Sequence, residues 1–115
     1  MDDALDPNVL EELRELNQEG EPDVVSEVLR LFLDDAPEKL DAIADAITRG
    51  DVEALRRAAH GLKGAAGAIG AFPFQEACRA LEEMAAVTPP GQAAAQLAGL
   101  RTEYARVKAA IEHLL

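Results

Sequence analysis

The sequence predicts an all-α fold: an antiparallel, up-down-up-down four-helix bundle with a short extra helix at the N-terminus. Three observations predict it. Apolar residues recur three and four positions apart along most of the 115 residues, and no stretch alternates as a half-buried strand does. Alanine and leucine dominate while aromatic residues make up only 3%, which favours helices over strands. Four substantial helical stretches with short connections then favour a bundle.

The first two helices are predicted from their start signals. Asp6 precedes Pro7 as a capping residue precedes a proline in the first turn, and a short helix is expected over residues 7–19. A second helix is expected to follow Asp23. Pro37 interrupts its apolar pattern, so this segment is either one long helix kinked near the proline or two helices end to end.

The remaining three helices have clear boundaries. Asp51 is expected to cap the third helix, Gly70 to end it, and Pro73 to begin the fourth. The expected core residues are Leu55, Ala58, Ala59, Leu62, Ala66 and Ile69 in the third helix, Phe74, Ala77, Cys78, Leu81, Met84 and Ala85 in the fourth, and Leu97, Leu100, Tyr104, Val107, Ile111 and Leu114 in the last. No long linker occurs, so residues 1–115 are expected to form one domain, with the bundle over residues 22–115.

The charge of the chain limits its partners. The formal net charge is −11, which argues against nucleic acid and anionic membranes. Residues 1–50 hold 15 acidic and 4 basic residues, whereas residues 51–115 hold 7 of each. This surplus is most simply a device for solubility. One cysteine, no membrane-length apolar run and no signal-peptide pattern favour a soluble cytoplasmic domain.

The stretch HGLKGAAGAIG, residues 60–70, places a histidine on the outer face of the third helix. On a helical wheel centred on Leu62, His60 falls at about 160°, nearly opposite the apolar stripe. Lys63 falls at about 100° and Gly67 at about 140° on the same face, with Gly64 beside His60 at about 200°. Arg56, at about 120°, comes from the preceding turn. His60 is therefore expected to face solvent beside a cation and two positions without side chains.

This constellation suits phosphoryl transfer to and from the imidazole. A neutral imidazole is a nucleophile, and the transferred group needs in-line access and charge stabilisation. Lys63 and Arg56 can pair with phosphate oxygens, and Gly64 and Gly67 leave room for a partner protein. No other catalytic group is evident on this face, so a partner must supply activation and any metal. No residues in the chain show metal-ligand spacing.

Other interpretations of the same residues stay open. His60 can be ordinary solvated surface, and the glycines can serve close helix packing, a role that suits Gly61, at about −100°, better than access does. The domain can also be a docking module that binds a receiver or kinase without carrying phosphate. A metal-dependent hydrolase has almost no support.

The stretch from Ala59 to Ala71 resembles the signature of histidine phosphotransfer (HPt) domains, of the type A-H-x-L-K-G followed by small residues and a later glycine. Three further stretches are similar to the family: Phe32-Leu33-Asp34-Asp35-Ala36-Pro37 in the preceding helix, Gly50-Asp51 before the third helix, and Cys78-Arg79-Ala80-Leu81-Glu82 in the next one. The resemblance therefore covers residues 22–115. Gly61 is a mild departure, since many members have a larger residue there.

The resemblance implies a four-helix bundle that relays phosphoryl groups between receiver-domain aspartates. It implies phosphorylation of His60 at Nε2, with Lys63 supporting the phosphate and Gly64 providing clearance. A polar residue of the next helix contacts the phosphate or the ring in some members, and Gln75 and Arg79 are the candidates here.

The resemblance also implies the partners of the domain. They are receiver domains of response regulators and of a hybrid sensor histidine kinase, with Mg²⁺ held by the receiver. No ATP-binding segment is present, so the domain is expected to be a carrier without autokinase activity. We expect a monomer.

Overall fold

The computed structural model describes residues 4–115. Its elements are α1 (Pro7–Arg14), α2 (Val24–Arg49), α3 (Val52–Ala68), α4 (Phe72–Ala85) and α5 (Ala94–Leu114), with a 3₁₀ turn over Pro90–Ala93 before α5. No strand occurs within these residues, as the apolar period predicted. None of the helices described is both long and apolar enough to cross a lipid bilayer.

The four long helices surround one core in the order of the chain. α2 packs against α3, α3 against α4 and α4 against α5, and α5 returns to α2. Because each connection is short, neighbouring helices run antiparallel, and the predicted bundle is confirmed. α3 therefore lies between α2 and α4 and diagonally across from α5.

Three aromatic rings join three helices in this core. The ring centroids of Phe32 (α2) and Phe74 (α4) lie 5.8 Å apart at an interplanar angle of 87°. Tyr104 of α5 lies 6.2 Å from Phe32 and 6.1 Å from Phe74. The Phe32–Phe74 pair is edge-to-face and the two Tyr104 pairs are tilted, and aromatic pairs at such centroid distances stabilise a core. The predicted stripes of α3 and α4 face inward, whereas Leu114, predicted to be in the core, is 46% exposed because it occupies the last turn of α5.

Aspartates cap the N-termini of three helices, and two of these caps, Asp6 and Asp51, were predicted. Asp6 accepts a hydrogen bond from the backbone of Asn8 at 2.8 Å, and Asp51 accepts one from Ala54 at 3.0 Å. Asp23 caps α2 in the same way. The bond from the Ala54 amide is the main cause that holds the pKa of Asp51 below its ordinary value. Each cap satisfies an amide that the helix leaves unpaired.

The N-terminal helix is shorter than the predicted residues 7–19, since α1 ends at Arg14. The chain then forms a turn that is tighter than an α-helix, in which Asn17 donates its backbone N–H to the carbonyl of Arg14, three residues earlier, at 3.0 Å. The side chain of Asn17 then serves α2, because its Oδ1 accepts a bond from the Val24 amide at 2.8 Å. Leu16, which the predicted helix would have included, lies beyond its end and is 63% exposed.

Pro37 does not divide the second helical segment. α2 is one helix through the proline, so the alternative of two helices end to end is wrong. Proline removes one backbone donor, but the buried residues Phe32, Ala36, Leu40 and Ile43 continue the inner face on both sides. Tertiary packing across the proline keeps the helix in one piece.

Gly70 ends the regular course of α3, as predicted. Its φ is +73°, and the amide of Ala71 donates to the carbonyl of Ala66 at 2.9 Å, as at a helix end with a left-handed glycine. The carbonyl of Gly70 accepts a bond from the Asp6 amide at 2.9 Å. A Cβ on Gly70 would lie 2.9 Å from the Cβ of Val9. The glycine therefore provides both the left-handed turn and the space for the N-terminal segment.

Candidate functional site

His60 lies midway along α3 on its outer face. Leu55, Ala59, Leu62 and Ala66 are the fully buried residues of this helix and form its inner face. The His60 side chain is 70% exposed, as the helical wheel predicts. The imidazole is thus open to a second protein without any movement of the bundle.

A carboxylate from the neighbouring helix holds one side of this ring. Oε2 of Glu82, on α4, lies 2.7 Å from Nδ1 of His60. The other oxygen, Oε1, accepts a hydrogen bond from Nζ of Lys63 at 2.7 Å. One carboxylate therefore joins the histidine and the lysine that the sequence placed on a common face.

The surroundings of Glu82 keep it ionised. Its side chain is 19% exposed and that of Lys63 is 26% exposed, so the pair is partly screened from water. The hydrogen bond from Lys63 is the largest cause that lowers the pKa of Glu82, and the bond to His60 adds to it against the opposing effect of burial. Charge-assisted bonds of this kind are stronger than neutral ones.

The contact with Glu82 determines which ring nitrogen carries the proton. An ionised carboxylate is only an acceptor, so Nδ1 of a neutral His60 must be the donor. The lone pair then resides on Nε2, on the opposite side of the ring. A neutral His60 with this hydrogen bond therefore presents a nucleophilic nitrogen away from Glu82.

Glu82 is a site residue that the sequence analysis did not select. It follows Leu81 and is four residues after Cys78, both buried, so it lies at the edge of the inner stripe of α4. A carboxylate at the edge of a stripe is a usable signal for a contact with a neighbouring helix. The sequence pattern alone does not specify which helix borders that edge.

The two glycines expected to clear space beside His60 differ. A Cβ on Gly64 would have nothing within 4 Å, which agrees with an open approach. A Cβ on Gly67 would overlap with Nε2 of Gln75. The expectation that Gly67 leaves room for a partner is therefore wrong, because a side chain of α4 already uses that room.

The two tentative polar candidates on α4 have other partners. Nε2 of Gln75 donates to the backbone carbonyl of Lys63 at 3.3 Å and so ties α4 to the turn after His60. Arg79 forms ion pairs with Glu76 and, at 2.7 Å, with Glu83. Both partners lie on the same helix as Arg79, one turn before it and one turn after it, and the structure gives no contact of Arg79 with His60.

Arg56 lies near His60, as expected. Its guanidinium pairs with Glu53 at 3.5 Å, and both residues line a shallow recess that also includes His60 and Glu82. Across residues 4–115, no group of three or more histidine, cysteine, aspartate or glutamate side chains could hold a metal ion. The chemistry available at this face is that of a histidine with a bound carboxylate and nearby cations.

Solved structures of other proteins have the same architecture. The crystal structure of histidine-containing phosphotransfer protein B (HptB) from Pseudomonas aeruginosa PAO1 superposes with a TM-score of 0.86 at 31% identity, over 96% of this chain and 92% of that one. The protein MtHPt2 of Medicago truncatula gives a TM-score of 0.84 at 24% identity, over 97% of this chain and 77% of that one. The latter likeness concerns the fold alone.

Sequence relatives and a family model give the same result. Histidine-containing phosphotransfer protein 5 of Arabidopsis thaliana is 33% identical over 79 residues, which are 66% of this chain and 50% of that protein. The chain thus spans about half the length of the curated relatives it matches. The model of the Hpt domain matches residues 27–114, a range that contains α3, α4 and the His60–Glu82 contact. On this match, and with its bundle and exposed histidine, the chain belongs to the Hpt domain family.

Proposed function

We propose that this protein is a phosphorelay intermediate that accepts a phosphoryl group on Nε2 of His60 and passes it to a receiver domain. The observation that carries the proposal is that His60 is 70% exposed while its Nδ1 is held by Glu82. A histidine in this state offers one nitrogen to a partner and keeps the other fixed. Membership of the Hpt domain family and likeness to histidine-containing phosphotransfer proteins support the same role.

The transfer is an in-line displacement at phosphorus. The lone pair of Nε2 forms the N–P bond while the P–O bond of the receiver's aspartyl phosphate breaks, and its electron pair stays on the departing carboxylate. The ring keeps its proton on Nδ1 and therefore becomes cationic. The Glu82 carboxylate, 2.7 Å from Nδ1, opposes this developing positive charge. Return of the phosphoryl group to another receiver reverses these changes.

The neighbours of His60 have separate roles in this proposal. Lys63 keeps Glu82 ionised in the resting protein and is one turn from His60, close enough to reach phosphate oxygens. Arg56 adds positive charge from the preceding turn. Gly64 leaves the surface beside the ring open, since nothing lies within 4 Å of a Cβ placed there. Gln75 positions the turn that carries Lys63 rather than contacting phosphate.

The partners follow from the same chemistry. They are receiver domains of response regulators and of a hybrid sensor kinase, and each receiver supplies the Mg²⁺ that its aspartate chemistry requires. The chain acts as a carrier without autokinase activity, as a monomer, in the cytoplasm where such regulators work. His60 would serve as both acceptor and donor.

The test is phosphoryl transfer from phosphorylated receiver domains of the source organism to the wild-type protein and to His60→Gln. We expect acid-labile label and a mass increase of one phosphoryl group in the wild type alone. The variant should keep the helical circular dichroism and melting curve of the wild type, because the replaced side chain is exposed. Relay through a folded His60→Gln protein would overturn the proposal. Binding of receivers with no label on either protein would also overturn it, in favour of a docking module.

A further inference from the structure

A lysine of α2 lies across the glycine that follows His60. A Cβ placed on Gly61 would be 3.4 Å from Cε of Lys39, 3.7 Å from its Cδ and 3.9 Å from its Nζ. The end of the lysine side chain therefore rests on the backbone of Gly61, where other amino acids have side-chain atoms. Gly61 and His60 are consecutive, so their Cα atoms are about 3.8 Å apart.

Lys39 approaches His60 from the side opposite to Lys63. Lys63 and Glu82 border the ring where α3 meets α4. Gly61, on the other flank of His60, faces α2 and lines the same recess as His60 and Glu82. The histidine thus has one lysine on each side, and only one of the two is on its own helix.

The charge of Lys39 is not engaged by a carboxylate. Lys63 is bonded to Glu82 at 2.7 Å, and Arg56 is paired with Glu53 at 3.5 Å. Among residues 4–115, no ion pair joins Lys39 to an acidic side chain. Lys39 lines a mostly apolar groove between α2 and α3 together with Leu62 and Ala65; Asp35 also lines this groove but forms no ion pair with Lys39. An aliphatic stem on apolar surface leaves the ammonium head available to solvent or to an anion.

We infer that Lys39 is a second phosphate-binding cation for phosphorylated His60, and that Gly61 is what allows it to reach that position. The inference rests on the proposed function of His60. When the phosphoryl group is present, Lys63 is shared with Glu82, whereas the ammonium of Lys39 has no ion-pair partner among residues 4–115 and lies against Gly61, the residue next to His60. A larger side chain at residue 61 would lie in the path of Lys39 and displace it.

The experiment uses the whole chain phosphorylated on His60 with potassium phosphoramidate, so that no receiver is needed for loading. The phosphoryl group is titrated by ³¹P NMR, and transfer to a receiver is timed separately. The variants are Lys39→Ala, Lys39→Arg and Gly61→Leu. Gly61→Ala is the size control, since a Cβ there makes ordinary contact with Lys39. Lys108→Ala is the charge control, because Lys108 is exposed on α5, diagonally across the bundle from α3.

We expect Lys39→Ala and Gly61→Leu to move the phosphoryl titration to higher pH, because a nearby cation favours the dianion. Both should slow transfer about two- to fivefold, the range of an exposed ion pair, and the effect should shrink in high salt. Lys39→Arg, Gly61→Ala and Lys108→Ala should behave as the wild type. The double variant Lys39→Ala/Gly61→Leu should transfer no more slowly than either single variant, because both substitutions remove the same interaction.

Three results would overturn the inference. One is a ³¹P titration of Lys39→Ala identical to that of the wild type. Any slower transfer by this variant would then be due to a lost contact between Lys39 and the receiver. Another is an equal effect of Lys108→Ala, which would make net charge the cause. The third is additive losses in the double variant. Absence of phosphorylation on His60 in the wild type would instead contradict the proposed function, and the role of Lys39 with it.

Discussion

The side-chain amide of Gln75 occupies the space that a Cβ on Gly67 would need, and from there it donates a hydrogen bond to the carbonyl of Lys63 at 3.3 Å. α4 is thereby tied to the turn of α3 that follows His60. The two glycines on this face of α3 thus have different surroundings. Gly67 leaves space for the side chain of Gln75 from α4, whereas Gly64 borders open solvent.

This difference predicts that alanine stabilises the protein at residue 64 but not at residue 67. Gly64→Ala should raise the free energy of unfolding by up to about 1 kcal/mol, the helix-propensity gain of alanine over glycine. Gly67→Ala should gain nothing, because displacement of Gln75 costs about 0.5–1.5 kcal/mol for its lost hydrogen bond. Urea unfolding of both variants measures the difference. In a Gln75→Ala background, Gly67→Ala should become stabilising, and failure to do so would contradict the role of Gln75.

A large side chain at residue 64 should separate stability from transfer. Gly64→Gln is expected to fold as the wild type does, with equal or greater stability, since nothing lies within 4 Å of its Cβ. The same side chain should obstruct a receiver that closes over His60, so transfer should be slow. A melting curve with a transfer assay checks both points, with Gly64→Ala as the matched control. Normal transfer by Gly64→Gln would remove the argument for clearance.

The left-handed glycines Gly50 and Gly70 give a matched test of steric contact. Their φ values are +70° and +73°, so alanine should cost each about 1–2 kcal/mol for backbone strain. A Cβ on Gly50 meets nothing within 4 Å, whereas one on Gly70 lies 2.9 Å from the Cβ of Val9. Gly70→Ala should therefore destabilise by a further 1 kcal/mol or so, as overpacking does. Equal losses in chemical unfolding would show that the N-terminal segment moves aside without cost.

The lowered pKa of Glu82 predicts a pH-dependent contribution to stability. Its pKa lies below the ordinary 4.5, chiefly because of the bond from Lys63. The stabilisation is therefore fully present above pH 4.5 and is lost as the pH falls through the lower folded-state value. Glu82→Gln should be less stable than the wild type at pH 7, and the gap should close in acid. Unfolding of both proteins from pH 7 to pH 3 measures it, with the exposed Glu83→Gln as control. A gap that does not change with pH would refute the prediction.

Glu82 should also matter to the rate of phosphoryl transfer. Glu82→Gln keeps a hydrogen-bonding group near Nδ1 but removes the negative charge that faces the cationic ring. A charge-assisted bond is worth about 1.5–3 kcal/mol, so we expect single-turnover transfer to His60 to slow about tenfold at the lower end of that range. Quenched time courses of transfer from a labelled receiver measure this rate. An unchanged rate, with the variant folded, would assign Glu82 to stability alone.

The spacing of apolar residues, three and four positions apart, was sufficient to predict the bundle and the exposure of His60. Each follows from residues on a single helix, whose inner and outer faces the spacing of leucines and alanines determines. Cys78 is likewise buried on the predicted stripe, and burial raises the pKa of its thiol to about 12. Asp6 and Asp51 were recognisable as caps because capping is local in sequence.

Contacts between helices could not be predicted in this way. The pairing of Glu82 with His60 and Lys63 depends on how α4 is rotated and shifted along α3, which the spacing within either helix leaves undetermined. The same holds for Gln75 over Gly67 and Lys39 over Gly61. The length of α1 was overestimated for a related reason, because Asn17 has a partner at the start of α2 that a one-helix pattern does not include.

The bond from the Asp6 amide to the carbonyl of Gly70 has a consequence for where this domain begins. Ala4 and Leu10 are buried in the common core, so the segment before α2 closes the end of the bundle at which α3 turns into α4. The family model starts only at residue 27. A boundary drawn from the family model alone would remove the segment that covers that end, although the likeness to HptB extends over 96% of the chain.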